Sequence, residues 1–240
     1  MQPPMRTMPN AGKLFLIPSF LGENNPAIIP AQVAEAVMPL REFIVEDART
    51  ARRYLRAIGY TANFDTEVVM HEMDKHAAQQ PCAQMLKSVM AGGNCGIISE
   101  AGNPCIADPG NELVAYAHQR GVEVVPLVGP SSILLALIAS GFNGQQFAFH
   151  GYLPIKEPDR SKRIKQLESA ARNSTQIFME TPFRNQKLLE EVLNNCQPTT
   201  KLCIACDLTL PSQSIQTKTI LQWRQTDIQL HKRYCIFLLG

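Results

Sequence analysis

The sequence predicts an α/β protein built as two α/β domains with a cleft between them. Three observations predict it. Short apolar runs alternate with helical stretches, turn-rich loops leave the ends of the strand-like runs, and the composition is that of a globular chain. Of 240 residues, 45% are hydrophobic and 18% charged. A chain of this length buries a core as one large domain or two small ones. The boundary falls near residue 128, giving an N-terminal α/β domain over 13–128 and a C-terminal α/β domain over 129–240. Residues 1–12, MQPPMRTMPNAG, are polar and proline-rich and lack an apolar signal core, so they read as a disordered leader.

The elements follow in order. Residues 14–17 read as a strand, 31–38 as a helix and 42–46 as a second strand. A helix over 48–58 is closed by Gly59. A strand over 67–70 and a helix over 82–91 come next, the helix ended by Gly92-Gly93. The apolar run 95–98 is a strand, 111–120 a helix with Gly121 just past it, and 122–127 a strand. This βαβα alternation predicts a parallel sheet covered by helices. In the second half a helix over 131–140 stops at Gly141. Strands read at 146–152, 176–180, 201–206 and 234–239, and helices at 159–171 and 184–195. Residues 213–219, rich in Gln, Ser and Thr, read as a strand or an extended loop. The later strands are close enough in sequence to pair antiparallel, so this half is expected to be mixed.

Ligands of open α/β sheets sit beyond the carboxyl ends of the strands. Four loops leave such ends: Pro18-Ser-Phe-Leu-Gly22, Ser99-Glu-Ala-Gly-Asn-Pro104 with Asp108-Pro-Gly110, Val128-Gly-Pro-Ser-Ser132, and Glu180-Thr-Pro-Phe-Arg184. Each taken alone is an ordinary turn or helix cap; together they can line one pocket. There is no Gly-x-x-x-x-Gly-Lys-Ser/Thr, no Gly-x-Gly-x-x-Gly after the first strand and no Gly-x-Ser-x-Gly. His71-Glu72 with His76 is one residue too long for the zincin spacing, so no metal is expected there. Seven cysteines, an odd count, fit a reduced, cytoplasmic setting. Cys203 and Cys206 form a C-x-x-C inside an apolar run, where Cys packs as a small hydrophobe. No run reaches the length of a membrane span. A net charge of +2 is too small to argue for nucleic acid, but basic residues cluster at 41–56 and 156–165. Interleaved acids leave these stretches open as phosphate contacts or as solvated helix faces.

Taken together, the motifs resemble the tetrapyrrole (corrin/porphyrin) methylase superfamily of S-adenosylmethionine-dependent methyltransferases. Within it they are nearest the branch that methylates a cytidine 2′-hydroxyl of small-subunit ribosomal RNA. Ile97-Ile-Ser-Glu-Ala-Gly-Asn-Pro104 with Ala107-Asp-Pro-Gly110 is similar to S-D-A-G-T-P…S-D-P-G. Pro126-Leu-Val-Gly-Pro-Ser-Ser132 resembles P-L-P-G-P-S-A, Glu46-Asp-Ala-Arg49 resembles E-D-T-R, and His71-Glu72 matches a His-Glu pair. His150-Gly-Tyr-Leu-Pro154 resembles G-F-L-P, and Phe178-Met-Glu-Thr-Pro-Phe-Arg184 resembles F-Y-E-S-P-H-R. The resemblance runs over nearly the whole chain from Leu14. It implies a class III methyltransferase-like fold, a homodimer, and S-adenosyl-L-methionine held in the interdomain cleft largely by backbone groups. The implied cofactor contacts are Pro18, Ser99, Glu100, Gly102, Asn103, Ser131, Ser132, Glu180, Thr181, Ala205 and Leu208.

This chain departs from the branch at several of these places. Glu100 replaces an Asp, Asn103 a Thr and Phe183 a His. Ala205-Cys-Asp-Leu-Thr-Leu210 replaces A-R-E-L-T-K and so lacks an Arg and a Lys, and Ile17-Pro-Ser-Phe-Leu-Gly22 replaces A-T-P-I-G-N. For a hydroxyl acceptor, Glu46, Asp47 and His71 are the candidate bases, and Arg49 the candidate anchor for a phosphate or carboxylate. Asp47 and Arg49 read equally as a structural ion pair. Three functions stay open on the sequence. They are RNA 2′-O-methylation with ribosomal RNA or the small subunit as partner, methylation of a tetrapyrrole or other small molecule, and non-catalytic cofactor binding. A basic surface leading to the cleft favours the first, a closed apolar pocket the second and a blocked cleft the third.

Overall fold

The structure, a computed structural model, describes residues 11–22, 25–73 and 82–240. The chain divides into two compact units, Met1–Pro130 and Ser131–Gly240. The expected leader lies almost wholly outside the described residues, as does His76.

The first unit is a parallel sheet of five strands, β1 (Lys13–Ile17), β2 (Glu42–Val45), β3 (Val69–Glu72), β4 (Cys95–Ile98) and β5 (Glu123–Pro126). Their order is β3-β2-β4-β1-β5. Between them run α1 (Ala31–Val37), α2 (Ala48–Ala57), α3 (Cys82–Met85), α4 (Lys87–Met90) and α5 (Asn111–Gln119). The central strands are buried on both faces, as parallel strands flanked by helices must be. Phe43 and Val45 of β2 face Val33, Val37 and Leu55, while Ile44 between them packs with Ile97, Leu86, Val89 and Leu113 on the opposite face. On β4, Gly96 keeps the sheet close to its cover: a Cβ there would meet Ile17 Cδ1 at 2.4 Å.

The second unit opens with α6 (Ser132–Ser140), followed by β6 (Phe147–Tyr152), α7 (Asp159–Ala171) and β7 (Thr175–Met179). It continues through α8 (Asn185–Asn195), β8 (Lys201–Cys206), β9 (Ser214–Thr219), α9 (Ile220–Arg224) and β10 (Cys235–Leu239). The strand order is β6-β7-β10-β8-β9. Only β6 and β7 are parallel; β10 pairs antiparallel with β7 and β8, and β8 antiparallel with β9. Parallel pairing needs a crossover, which α7 supplies, whereas β8 and β9 are joined by a short turn. Left-handed Gly151, φ 62°, lies in the register shift where β6 slips against β7.

Most expected elements sit where the periodicity puts them, but the strand expected over 67–70 is shifted to Val69–Glu72, a 3-10 turn at Pro26–Ile28 was not expected, and three other elements differ. The helix expected over 82–91 is broken into α3 and α4. The segment read as strand or loop is β9. Helix α9 was missed, because a five-residue helix shows too little periodicity; its signal is the capping box of Thr219 and Gln222.

That short helix places Trp223, 1% exposed, in the core of the second unit with its indole Nε1 donating to Leu202 O at 2.8 Å. Replacing Trp223 with Ala opens a large cavity and removes that hydrogen bond. The expected cost is about 3–5 kcal/mol, read as a lowered urea midpoint by circular dichroism; an unchanged midpoint would show that the unit does not depend on this anchor.

Candidate functional site

The carboxyl ends of β1, β4 and β5 release three loops that are stitched to one another. Ser19 N donates to Gly102 O at 2.8 Å, and Gly102 N donates back to Phe20 O at 3.3 Å. Ser99 Oγ also donates to Gly102 O, at 2.9 Å, and Asn103 Nδ2 donates to Pro130 O at 3.2 Å. Tyr54 of α2 closes the set from below, its hydroxyl donating to Pro18 O at 2.5 Å; burial pushes that phenol's pKa up. Gly129 lies so close to Pro18 that a Cβ would sit 2.1 and 2.3 Å from the ring's Cβ and Cγ. The loop after β4 is wound tightly, with left-handed backbone at Gly102, Cys105, Ala107 and Gly110. Such conformations at Cys105 and Ala107 are unfavourable for residues with a Cβ and are held here by the surrounding ties. Pro18, Ser99, Gly102 and Asn103, all expected at a cofactor, therefore meet in one cradle of bare backbone.

The loop after β2 joins this cradle through carboxylates. Glu46 Oε1 accepts from Glu100 N at 3.2 Å. Glu46, Asp47, Thr50, Ser99 and Glu100 line one small recess. Asp47 caps α2, accepting from Thr50 N at 2.7 Å. The bonds from Thr50, with a smaller contribution from the charge of Arg49, hold its carboxyl below the usual carboxylate range. Glu72 adds a second tie, accepting from Ala48 N at 2.8 Å. His71 stands apart. Its Nε2 is 2.8 Å from Glu42 Oε1, at the opening residue of β2, so the ring leans away from the end where Glu46 lies. The recess shares its Ser99–Glu100 wall with a cavity of about 890 Å³ that extends along α2.

In the second unit the expected residues fall on three loops. Ser131 caps α6, its side chain accepting from Leu134 N at 3.4 Å, with Ser132 the first helical residue. Glu180 follows β7 and is buried. Its Oε1 accepts from Thr181 N at 2.8 Å and Arg184 Nη2 at 2.6 Å, while Oε2 lies 3.4 Å from Nη2 of the buried Arg160. Arg160 is in turn paired through Nε with Glu191. The Glu180 carboxylate is thus committed within the protein, and its loop offers a ligand chiefly backbone. Ala205 is buried inside β8, and Leu208 lies between Asp207 and Thr209, both left-handed at φ 50° and 73°. Arg233 Nε to Asp207 Oδ2 at 2.7 Å, and Tyr234 N to Asp207 Oδ1 at 3.0 Å, fix that turn. The sequence reading missed Arg160 as the keystone of the Glu180 loop; one Arg in a helix rich in charge carries no signal of burial. Cys206 of the C-x-x-C faces Cys235 across the strands, Sγ to Sγ 3.0 Å. Among the described residues no His, Cys, Asp and Glu side chains group as a metal site.

Comparison with solved structures places the fold. The methyltransferase CobJ superposes with a TM-score of 0.63 at 19% identity, covering 96% of this chain and 94% of its own. A uroporphyrin-III C-methyltransferase from Thermus thermophilus, complexed with S-adenyl homocysteine, gives 0.56 at 16% identity, covering 95% and 97%. The parallel sheet with its stitched loops and the mixed second sheet define a protein of the class III methyltransferase fold. Residues 25–222 match the family described as Tetrapyrrole (Corrin/Porphyrin) Methylases, and the chain belongs to that family. It is therefore a methyltransferase. Among its curated relatives, the Ribosomal RNA small subunit methyltransferase I of Vibrio cholerae is 31% identical over 212 residues, 88% of this chain and 70% of that protein. The protein of the same name from Bacillus subtilis is 29% identical over 236 residues, 95% of this chain and 75% of its own.

Two substitutions test the site's construction. Gly129→Ala must push the loops after β1 and β5 apart, because the Pro18 ring cannot rotate away. It is expected to cost about 1–3 kcal/mol and to weaken S-adenosylhomocysteine binding in a calorimetric titration; wild-type affinity would mean that the two loops need not touch. Arg160→Met leaves Glu180 and Glu191 without their buried cation, at an expected cost of about 3–5 kcal/mol. Adding Glu180→Gln should restore part of that stability in urea unfolding, and a double variant no better than the single would show that the pairing is not the source.

Proposed function

We propose that this chain transfers the methyl group of S-adenosylmethionine to a ribose 2′-hydroxyl of small-subunit ribosomal RNA. The observation that carries the reading is the recess at the end of β2, where Glu46 and Glu100 meet at the rim of the stitched cradle. The two relatives compared above, both named Ribosomal RNA small subunit methyltransferase I, support the acceptor.

The residues present fit the donor. Gly102 and Gly129, with no Cβ, let the loops after β1, β4 and β5 close on one another, so the cradle presents mainly backbone to a ligand. The exposed Glu100 at its rim suits the amino or ribose hydroxyl groups of an adenosyl-amino acid. Pro18, Ser99, Glu100, Gly102 and Asn103 are the proposed contacts in the first unit, and Ser131, Ser132, Glu180, Thr181, Ala205 and Leu208 those in the second. When bound, the sulfonium supplies an electrophilic methyl whose in-line displacement disperses a positive charge. The protein aligns and desolvates: the buried Ser99 and the cradle loops hold the reacting groups away from water. Glu46, oriented by Glu100 N, is the carboxylate proposed to take the acceptor hydroxyl's proton. Asp47 serves as the helix cap, and Arg49, exposed at the start of α2, is the proposed anchor for a neighbouring phosphate.

The family resemblance also supports a homodimer acting in the cytoplasm, for which light scattering is the check. Among the described residues no helix is long and apolar enough to cross a membrane.

The purified protein is expected to give a saturable heat with S-adenosylmethionine. It is also expected to place labelled methyl groups in small ribosomal subunits at an alkali-resistant linkage. Label appearing in porphyrin precursors instead, with none in RNA, would overturn the acceptor.

A further inference from the structure

The cavity along α2 lies beside the recess and shares Thr50, Ser99 and Glu100 with it, but most of its lining lies outside the proposed cofactor contacts. One wall is Ser19, Phe20 and Gly22 after β1, another the exposed side of α2, and a third Phe64. Its volume, about 890 Å³, is within the ~300–1,000 Å³ typical of small-ligand sites.

Its lining is largely apolar, with arginines along one side. Helix α2 has two stripes. Ala51, Tyr54 and Leu55 are buried against the sheet, and Arg49, Arg52, Arg53 and Arg56, at i, i+3, i+4 and i+7, form the outer stripe. Three of those arginines line the cavity. Two of them already have work within the protein. Arg56 donates to Tyr60 O and to Ala62 O, the latter at 3.0 Å, and Arg52 meets Asp65 at 3.2 Å. Both guanidinium groups also lie over Phe64, at 4.3 and 5.4 Å from its ring centroid, and Phe64 stacks on Tyr60. Arg53 has no hydrogen-bond or ion-pair partner among the described residues. Ser19, which also lines the cavity, is 3% exposed, and among the described residues its buried Oγ has no hydrogen-bond partner. An unsatisfied buried hydroxyl is costly unless something meets it.

Arg53 and the Ser19 hydroxyl, both without a hydrogen-bond or ion-pair partner among the described residues, share one cavity with the arginine-flanked Phe64 and with Glu100; a guanidinium, a hydroxyl and an aromatic ring suit a group that is at once anionic, hydroxylated and planar. We infer that this cavity seats the acceptor nucleotide of the RNA, with Arg53 on its phosphate, Ser19 hydrogen-bonded to its sugar or base edge, and the base against the edge of Phe64, whose ring is held by Tyr60, Arg52 and Arg56. This placement sets the sugar toward the Ser99–Glu100 wall that the cavity shares with the Glu46 recess. The inference rests on the RNA reading above and specifies where the nucleotide sits.

The test is steady-state methyl transfer from labelled S-adenosylmethionine to small ribosomal subunits by wild type, Arg53→Ala, Arg53→Lys and Ser19→Ala. S-adenosylhomocysteine titration of each variant serves as the check on folding and on the donor site. Arg53→Ala is expected to raise the KM for RNA by about tenfold and to flatten its salt dependence by roughly one phosphate contact. Its affinity for S-adenosylhomocysteine should match wild type, and Arg53→Lys should recover most of the loss. Ser19→Ala is expected to raise KM severalfold without changing the salt slope. Wild-type KM and salt slope in Arg53→Ala, while wild type methylates RNA, would overturn the cavity assignment and leave the RNA reading standing. Wild-type protein that binds S-adenosylhomocysteine but labels no RNA would overturn the RNA reading, and the assignment with it.

Discussion

The peptide of Gly102 holds the first unit's site together. Its carbonyl takes bonds from Ser19 N and Ser99 Oγ, and its amide reaches Phe20 O. One residue after β4 thereby fixes the path of the loop after β1, while Asn103 fixes Pro130 after β5. Loops at the end of a sheet are ordinarily its most mobile parts. Here two of them are tied by backbone bonds and the third by the Asn103 side chain, so the proposed ligand-facing surface is preorganised. Such preorganisation matters most for a methyl transfer, where alignment supplies much of the rate and few side chains take part in bond making. It also accounts for the local backbone strain. Left-handed Cys105 and Ala107 are tolerated because the loop must turn twice between Gly102 and Gly110, where α5 begins.

The second unit reaches the same rigidity by buried charge. Arg160 lies between Glu180 and Glu191, and Glu180 gathers Arg184 and the Thr181 amide as well. Buried ion pairs seldom add much net stability, but they penalise any other arrangement heavily, because a partner left alone is a bare charge in the core. The loop 180–184 therefore has one geometry. The turn after β8 is set likewise by Asp207, which binds both Arg233 and the Tyr234 amide. Glu180 is fixed for structural reasons even though it sits in a loop expected at the cofactor, and its carboxylate works through the backbone it shapes.

Much of this was legible in the sequence, and the physical reason differs by feature. The strands of the first sheet were plain because both faces are buried, leaving unbroken apolar runs such as Cys95-Gly-Ile-Ile98. The strand-end loops were plain because left-handed and close-packed backbone demands Gly and Pro, as at Gly102, Gly110 and Gly129. Contacts between side chains distant in sequence were not legible. Nothing local distinguishes Arg160, nearly fully buried, from the exposed Lys162, and nothing in His71-Glu72 shows that the ring turns to Glu42 while the carboxylate reaches Ala48. The basic run 41–56 was visible, but its division into a buried and an outer stripe emerges only once α2 lies on the sheet. Arg41, which caps its own turn by donating to Met38 O and Leu40 O, then separates from the cavity's arginines.

Adjacent carboxylates at the end of β2 show how place assigns role. Asp47 is the N-cap of α2; the helix's free amides bind its ionised form, and its carboxyl is held below the usual range. A base whose proton affinity has been spent on capping is poorly suited to take a proton from a sugar hydroxyl near neutral pH. Exchanging Asp47 for another residue would first unsettle the helix on which the arginine stripe is mounted. Glu46, one residue earlier, lies before the helix and is aimed by Glu100 N across to the β4 loop. The chain's Glu at position 100, where the resembling branch has Asp, is compatible with this arrangement because it is the backbone amide, not the carboxylate, that orients Glu46. The longer side chain is left at the rim, exposed beside both the recess and the α2 cavity. The proposed donor contacts, proton acceptor and nucleotide seat are thereby separated along a single path from the cradle to α2, and each is held by a different element at the carboxyl end of the same sheet.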